Sequence, residues 1–258
     1  MSIEALIFDV DGTLADTEEI HRQAFNAAFQ EARLWWNWSP HRYAELLGIS
    51  GGKERIAAHV ASLDEPEATK RGLAARIPEL HSAKTRIFTS LIASGRAPLR
   101  PGVARLVREA RDAGLKLAIA STTSPQNVEA LLETNLGSDS PRWFAVIAAG
   151  DKVPMKKPAP DIYDLALAVL GLAPDACVAF EDSGKGLAAA KAAGLFTVVT
   201  PTFWTRTDDL SAADLLLPTL GDPDAPLDNG AAAQVGAPFL GLADLERIKA
   251  ARAARQPA

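Results

Sequence analysis

Acidic side chains form two close pairs whose type and spacing suit the binding of a cation. Asp9 and Asp11 are two residues apart in the run 9–13 (DVDGT), and Glu181 and Asp182 are adjacent. Neighbouring carboxylates repel each other, and a divalent cation would relieve that repulsion. Hard oxygen ligands of this kind suit Mg²⁺. For each pair, the alternative is that the side chains only cap the helix that follows.

Hydroxyl and amine groups occur in two further stretches. Ser121 and Thr122 precede a helix that Pro125 would start, so their hydroxyls and the free amide groups there could bind a phosphate. Lys157 precedes the run PAP, whose prolines make a rigid turn that could direct the amine inward. Ordinary helix capping is the alternative for the hydroxyls, and a solvated pair of Lys156 and Lys157 is the alternative for the amines.

All four stretches follow short apolar runs that are typical of the buried strands of a parallel sheet. These runs alternate with Ala- and Leu-rich segments of helical period, so the sequence predicts an α/β fold with a doubly wound, mainly parallel sheet. Ligands bind beyond the carboxyl ends of the strands in such sheets, and the polar stretches would therefore meet at one edge. The predicted strands are residues 3–10, 115–120, 145–148, 177–180 and 196–200.

The segment 17–90 interrupts this alternation because it contains no strand pattern. It predicts a small all-helical cap domain inserted after the first strand, with residues 1–16 and 91–258 forming the α/β core. The insert has 10 Lys and Arg against 9 Asp and Glu, the rest of the chain has 17 against 23, and the insert contains all four histidines. A slightly basic insert on an acidic body suits a cap over the strand ends. The segment 221–237, rich in Gly, Pro and Ala, is predicted to be a surface loop.

Composition excludes several classes of protein. The chain has 258 residues, of which 48% are hydrophobic and 23% are charged, and these fractions are typical of globular proteins. A net charge of −5 argues against a protein that wraps nucleic acid or coats an anionic membrane. A single cysteine excludes an internal disulfide, and no apolar run has the length of a transmembrane helix. We expect a cytoplasmic monomer that binds a small molecule, not nucleic acid or a membrane.

The four polar stretches, in this order and each after a strand, resemble the motifs of the haloacid dehalogenase superfamily of phosphotransferases. The resemblance spans nearly the whole chain, and the insert resembles the small helical cap of that superfamily. Within it, the sequence is most similar to the β-phosphoglucomutase-like branch, and more closely to CbbY-type phosphatases. The matching residues are Asp9 and Asp11 for the first motif, Ser121 for the second, Lys157 for the third, and Glu181 and Asp182 for the fourth.

The resemblance implies a mechanism with a covalent aspartyl phosphate. Asp9 would attack phosphorus, and Asp11 would protonate the leaving oxygen and then deprotonate the attacking water. Ser121 and Lys157 would bind the phosphoryl oxygens. A dehalogenase expels halide and needs no acid at position 11, so Asp11 favours phosphoryl transfer. The implied ligands of Mg²⁺ are Asp9, Asp11 through its backbone carbonyl, Glu181 and Asp182.

The resemblance also implies that the cap selects the substrate, which for this branch is xylulose-1,5-bisphosphate. Gly51 and Gly52 precede a predicted helix with Lys53 and Arg55 in its first turn, and such a helix start could bind a second phosphate. A flexible turn with solvated charges is the alternative. Lys84 matches a cap position that reaches the substrate in this branch. The expected substrate-binding residues are Glu18, Tyr43, Gly51, Gly52, Lys53, Arg55, His59, Lys84 and Thr122.

Two further groups of residues in the insert are predicted to be structural. His21, His41 and His81 share no ligand spacing, which favours packed or surface histidines. The three tryptophans of the run 35–38 are predicted to pack inside the cap and not to stack on a ligand.

Thr13, two residues after Asp11, bears on the reaction catalysed. The leading hypothesis is a Mg²⁺-dependent phosphatase that acts on a small sugar bisphosphate. A phosphosugar mutase is the alternative, since it uses the same aspartyl phosphate and returns the phosphoryl group to a sugar hydroxyl. Thr13 favours the phosphatase, because β-phosphoglucomutases often carry an apolar residue there. A catalytically inactive binding protein is disfavoured, because Asp9, Asp11 and Lys157 are all present.

Overall fold

A single parallel sheet forms the centre of the molecule in the computed structural model, which describes residues 2–254. Its strand order is β3-β2-β1-β4-β5-β6, so the first strand lies between the second and the fourth. Phe8, the last residue of the first strand, is in register with Ile119 and Phe180 of its two neighbours. The prediction of a mainly parallel α/β sheet is confirmed. The strands are β1 (Ala5–Phe8), β2 (Lys116–Ser121), β3 (Phe144–Ala149), β4 (Cys177–Glu181), β5 (Phe196–Val199) and β6 (Leu215–Leu216).

Helices cover both faces of this sheet, because alternate residues of the strands point to opposite sides. Leu6 and Phe8 of β1 belong to one apolar cluster, whereas Ala5 and Ile7 belong to another. Helices α6, α7 and α11 pack in the first cluster, and α8 and α9 pack in the second. The core helices are α6 (Val103–Asp112), α7 (Pro125–Leu136), α8 (Asp161–Leu170), α9 (Gly184–Ala192), α10 (Asn229–Val235) and α11 (Leu242–Ala253).

The segment 17–93, all within the described part of the chain, consists of helices joined by turns and contains no strand. An aromatic cluster that includes Phe25, Phe29 and Tyr43 fills the centre of these helices. Trp36 and Trp38 are buried in it, and Trp35 is exposed. No helix in residues 2–254 has both the length and the apolar character that crossing a bilayer requires. The helices of the insert are α1 (Glu18–Glu31), α2 (Pro40–Leu47), α3 (Gly52–Ala61), α4 (Glu67–Ala75) and α5 (Ile77–Ala93).

The prediction of a loop over residues 221–237 is wrong in its second half, where α10 forms. Asp228 caps this helix, because its carboxylate accepts a hydrogen bond of 2.8 Å from the backbone amide of Ala231. Ala231 and Val235 are buried in the first apolar cluster. Burial of these small side chains stabilises a helix that is too short to show a periodic pattern in the sequence.

Candidate active site

The carboxylate of Asp9 lies directly beyond the end of β1 and is buried, with 7% of the residue exposed. The ammonium of Lys157, on the loop before α8, donates to Asp9 Oδ1 at 2.7 Å and to Glu181 Oε1 at 2.5 Å. A third hydrogen bond, to the carbonyl of Ala120 at the end of β2, measures 2.9 Å. Lys157, on the loop after β3, thus links the two acidic stretches that follow β1 and β4.

Asp9, Glu181 and Asp182 form a buried cluster in which one oxygen of each carboxylate lies within 4.8 Å of the others. Burial, and repulsion by Glu181, raise the pKa of Asp9 to about 7 although Lys157 opposes the shift. Burial, with repulsion by Asp9 and Glu181, raises the pKa of Asp182 well above its ordinary value. The cluster carries more negative charge than Lys157 balances.

Two details of the cluster fit a metal ion with hard oxygen ligands. Tyr163 and Lys157 both donate to Glu181 Oε1, but Glu181 Oε2 is buried with no hydrogen-bond partner. The carboxylate of Asp182 fills the space beside Gly12, where a Cβ would lie 2.2 Å from Oδ2. Mg²⁺ prefers hard oxygen ligands, and its charge would balance the excess negative charge of the cluster. The residues present therefore fit Mg²⁺.

Asp11 lies at the end of a hydrogen-bonded chain that comes from the insert. Lys84 Nζ donates to His21 Nδ1 at 2.6 Å, and His21 Nε2 donates to Asp11 Oδ1 at 2.7 Å. The hydroxyl of Thr17 donates to the same oxygen at 2.6 Å. Burial alone would raise the pKa of Asp11, but the field and hydrogen bond of His21, with that of Thr17, hold it well below its usual range. Asp11 is therefore ionised in this geometry.

His21 has more contacts than the predicted packed or surface residue would need. Its ring stacks on Phe88 at a centroid distance of 3.9 Å, but its nitrogens join Lys84 to Asp11. Burial, with the charge of Lys84, lowers the pKa of His21, whereas the charge of Asp11 opposes the shift. No sequence pattern indicated this role, since His21 and Asp11 become neighbours only because α1 turns back over the end of β1.

A cavity of about 960 Å³ separates the end of the sheet from the insert. Ser121 and Thr122 line it at the end of β2. The predicted catalytic and metal-binding residues all line it, and so do the predicted substrate-binding residues except Tyr43 and His59. These cavity residues are Asp9, Asp11, Glu18, Gly51, Gly52, Lys53, Arg55, Lys84, Ser121, Thr122, Lys157, Glu181 and Asp182.

Tyr43 is fully buried behind the cavity wall, where it contacts two residues that line it. Its hydroxyl donates to Glu18 Oε2 at 2.6 Å, and Arg55 Nη1 donates to the same hydroxyl at 3.2 Å. Tyr43 does not line the cavity, which corrects the expectation that it contacts the substrate directly. Tyr43 fixes the positions of Glu18 and Arg55.

His59 lies outside the cavity, so the structure contradicts its expected place among the substrate-binding residues. Its ring packs edge-on against Trp36 and Trp38, at centroid distances of 4.8 and 5.5 Å. Both ring nitrogens are buried without a hydrogen-bond partner. Burial, helped by the charge of Arg42, lowers the pKa of His59 to about 4. The residue belongs to the aromatic core of the insert.

The remaining two histidines of the insert differ in exposure. His41 is exposed on α2, as predicted for a surface residue. His81 lines the cavity, and burial with the charges of Lys84 and Lys53 lowers its pKa to about 4.

The sequence that forms this site matches a known protein family. The model of the haloacid dehalogenase-like hydrolase family matches residues 3–194, a range that contains all four polar stretches. The chain belongs to this family. The resemblance inferred from the motifs is confirmed.

Individual haloacid dehalogenase-like relatives share most of their length with this chain. Protein CbbY of Rhodobacter capsulatus is 53% identical over 220 residues, which cover 85% of this chain and 95% of that protein. The plasmid-encoded Protein CbbY of Cupriavidus necator is 50% identical over 225 residues, with 87% and 89% covered. The crystal structure of a CbbY mutant from Rhodobacter sphaeroides in complex with xylulose-1,5-bisphosphate is 49% identical. It covers 84% of this chain and 94% of that chain, with a TM-score of 0.79. The family and these relatives identify an enzyme of the haloacid dehalogenase type that hydrolyses phosphoric monoesters.

Contacts at the cavity mouth connect the insert of this haloacid dehalogenase-like enzyme to its body. Lys53 Nζ lies 2.7 Å from Asp151 Oδ2. Lys156 Nζ pairs with Glu54 Oε1 at 2.6 Å and with Asp151 Oδ1 at 2.9 Å. The hydroxyl of Ser50 donates to the carbonyl of Lys157 at 2.6 Å. The start of α3 therefore contacts the loop that carries the central lysine of the site.

Arg100 supports the site from outside the cavity, and sequence reasoning missed it. Its guanidinium donates to the carbonyl of Gly12 in the turn after β1. It also donates to the carbonyls of Thr200 at 2.5 Å, Pro201 at 3.0 Å and Pro218 at 3.0 Å. These acceptors lie 88 to 118 residues from Arg100 in the sequence, so no local pattern could have revealed them.

Proposed function

We propose that this enzyme is a Mg²⁺-dependent sugar-phosphate phosphatase that acts through an aspartyl phosphate on Asp9. Its preferred substrate would be xylulose-1,5-bisphosphate, and its product xylulose 5-phosphate. The observation that carries the proposal is the buried cluster of Asp9, Glu181 and Asp182 around one lysine, beneath a cavity with several cations in its wall. A relative that is 49% identical binds xylulose-1,5-bisphosphate in its crystal structure, which supports this choice of substrate.

Asp9 would be the nucleophile in the first half of the reaction. A carboxylate oxygen of Asp9 forms a bond to phosphorus while the bond from phosphorus to the sugar oxygen breaks. Lys157 is hydrogen-bonded to Asp9 and lowers the pKa of this carboxyl against the effect of burial, which favours the ionised form that attacks phosphorus. Ser121 lies at the end of β2 in the same cavity, and its hydroxyl would donate a hydrogen bond to a phosphoryl oxygen.

Asp11 would transfer protons in both halves of the reaction. The negative charge of an incoming phosphate raises the pKa of Asp11, so the proton for the leaving sugar oxygen is taken up with the substrate. The ionised Asp11 then accepts a proton from the water that hydrolyses the aspartyl phosphate. His21 and Thr17 fix the carboxyl group in place through its Oδ1.

Mg²⁺, when bound, would neutralise the negative charge of the phosphoryl oxygens. Lys157 and Tyr163 hold Glu181 by Oε1 alone and leave Oε2 free. The residues proposed to hold the ion are Asp9, Asp11 through its backbone carbonyl, Glu181 and Asp182.

Residues 17–90 would act as a cap domain on a core of residues 1–16 and 91–258. The proposed substrate contacts in this cap are those that line the cavity, namely Glu18, Gly51, Gly52, Lys53, Arg55 and Lys84, with Thr122 in the core. We further propose that the protein is a cytoplasmic monomer, for which sedimentation would give a mass near 27.3 kDa.

Replacement of the nucleophile tests this function. We expect Asp9→Asn to abolish phosphate release from xylulose-1,5-bisphosphate in the presence of Mg²⁺, because an amide cannot form the acyl phosphate. The fold should survive, as far-UV circular dichroism would show, since Asn fits the same space. Asp175→Asn, an exposed residue before β4, is the matched control and should retain full turnover.

Two results would contradict the proposal. Undiminished phosphate release by Asp9→Asn would exclude the aspartyl phosphate at this position. Conversion of a sugar monophosphate to its isomer by the wild-type enzyme, without free phosphate, would instead identify a phosphosugar mutase.

A further inference from the structure

Lys185 is a cation of the cavity wall that the proposed mechanism does not use. It lies in the first turn of α9, and its side chain reaches across the cavity edge to donate to the carbonyl of Leu47 in the insert. Arg55 approaches the same turn from the insert, where Nε donates to the carbonyl of Ile49 at 2.9 Å. Two cations, one from the core and one from the insert, therefore donate hydrogen bonds to the segment 47–49.

The charge of Lys185 lies at an electrostatically unfavourable place. The start of a helix carries a partial positive charge, which repels an ammonium group in the first turn. Burial, and the nearby charge of Arg55, lower the pKa of Lys185, and the charges of Asp208, Glu18 and Asp182 oppose this shift only in part. Among the described residues, the ion pairs of the cavity involve His21, Lys53, Arg55, Lys156 and Lys157 but not Lys185. A bound anion would compensate this charge.

The guanidinium of Arg55 can donate further hydrogen bonds. In residues 2–254, its hydrogen bonds run from Nε to Ile49 and from Nη1 to Tyr43, and Nη2 makes none. Glu18 is 3.9 Å from Nη1, too far for a hydrogen bond. A guanidinium with a free edge beside an ammonium is a suitable receptor for the oxygens of a phosphate group.

We propose that Lys185 is a specificity-determining residue that binds, together with Arg55, the distal phosphate of a doubly phosphorylated sugar. The nucleophile Asp9 attacks the other phosphate of the same molecule. This inference rests on the proposed function and extends it, because it assigns preference for bisphosphates over monophosphates to a residue of the core. Lys185 lies in α9, the helix that follows Asp182, so residues of the core as well as the insert would select the substrate.

A purely structural role makes a different prediction. If Lys185 only attaches the insert to the core through the Leu47 carbonyl, its loss weakens turnover of every substrate equally. If it binds the distal phosphate, its loss matters only for substrates that carry one.

The test compares two substrates that share the scissile phosphate. The specificity constant kcat/KM for phosphate release, with Mg²⁺ present, is measured for xylulose-1,5-bisphosphate and for xylulose 1-phosphate. The variants are Lys185→Met, which removes the charge, Lys185→Gln, which keeps a donor for the Leu47 carbonyl, and Lys185→Arg, which keeps the charge. Lys191→Met is the matched control, because Lys191 lies in the last turn of the same helix and pairs with Asp214.

We expect Lys185→Met and Lys185→Gln to lower kcat/KM for the bisphosphate by about ten- to a hundredfold, as is typical for a hydrogen bond to a charged group. For the monophosphate, we expect a change of less than about twofold. Lys185→Arg should retain most of the preference, and Lys191→Met should retain all of it. Isothermal titration of Asp9→Asn with and without Lys185→Gln should show the same loss in affinity for the bisphosphate.

Equal losses for both substrates, or no loss for the bisphosphate in Lys185→Gln, would overturn the inference and leave the proposed function intact. Absence of phosphate release from the bisphosphate by the wild-type enzyme would instead overturn the proposed function.

Discussion

A single guanidinium, that of Arg100, connects the catalytic turn to chain segments nearly two hundred residues away. Its acceptors are backbone carbonyls after β1, β5 and β6, and they include Gly12, the residue that follows Asp11. Burial lowers the pKa of Arg100, whereas the charges of Asp182 and Asp16 oppose that shift. Since Arg100 does not line the cavity, its effect on catalysis must act through the residues that it holds.

We predict that Arg100→Met lowers kcat by about ten- to a hundredfold, because a small displacement of a reacting group has effects of this size. The KM for the bisphosphate should stay within about twofold, and Arg100→Lys should recover part of kcat. Steady-state kinetics measure both parameters, and Arg108→Met, an exposed arginine of α6, is the control. A raised KM with unchanged kcat would show that Arg100 does not position the catalytic turn.

Residues that act next to their own strand could be predicted from sequence, and residues that act through distant partners could not. Asp9, Asp182 and Lys157 each follow a strand or turn signal that locates them along the chain. Arg100 and His21 give no such signal, because their partners are brought to them only by the folded sheet and by α1.

At the scale of elements, the sheet was predictable because its strands are buried on both faces and therefore form continuous apolar runs. The two-residue strand β6 and the short helix α10 were not predicted, since neither is long enough to show a period. Helix α10 is stabilised by its cap at Asp228 and by burial of Val235. Burial of Val235 is a tertiary effect that the sequence pattern does not contain, and the local cap at Asp228 alone does not predict a helix.

One face of helix α3 lines the cavity, and the other packs on tryptophans. His59 belongs to the second face. The unfolded chain binds a proton to this histidine below its ordinary pKa of 6.5, whereas the folded protein does so only below about 4. Between these values the unfolded state holds more protons, so the contribution of His59 to stability is lost as the pH falls.

We predict that His59→Phe keeps kcat/KM within about twofold, because the ring lies outside the cavity and packs on apolar neighbours. Its free energy of unfolding should decrease less between pH 6.5 and pH 4 than that of the wild-type protein. Urea denaturation at several pH values measures this difference. His41→Phe, at an exposed position, should follow the wild-type curve. Parallel curves for His59→Phe and wild type would refute the assignment.

For the whole molecule, charge is divided between an acidic body and a slightly basic insert, and ion pairs connect the two at the cavity mouth. The partners in these pairs are partly exposed, and such contacts contribute little stability each. The arrangement therefore favours an insert that closes over the cavity yet separates readily. The crossings at residues 16–17 and 90–98 are the positions where such a movement would occur.

We predict that a bisphosphate substrate closes the cap, because its charge bridges cations of the insert and the core. Small-angle X-ray scattering of Asp9→Asn should give a smaller radius of gyration with xylulose-1,5-bisphosphate and Mg²⁺ than without them. Inorganic sulfate at the same ionic strength is the control and should leave the radius unchanged. Identical scattering with and without substrate would contradict gating by the cap.

The loop after β5 forms part of the cavity wall, as the insert does. Trp204 lies on this loop, lines the cavity and meets the ring of Tyr43 edge-on at 5.7 Å. The loop lies beyond residue 194, where the match to the family model ends. A substitution at Trp204 would therefore change the cavity wall while the nucleophile and its lysine stay unchanged. Chimaeras that exchange only residues 203–208 between relatives, and so keep the carbonyls that bind Arg100, offer a route to new substrate ranges on one catalytic apparatus.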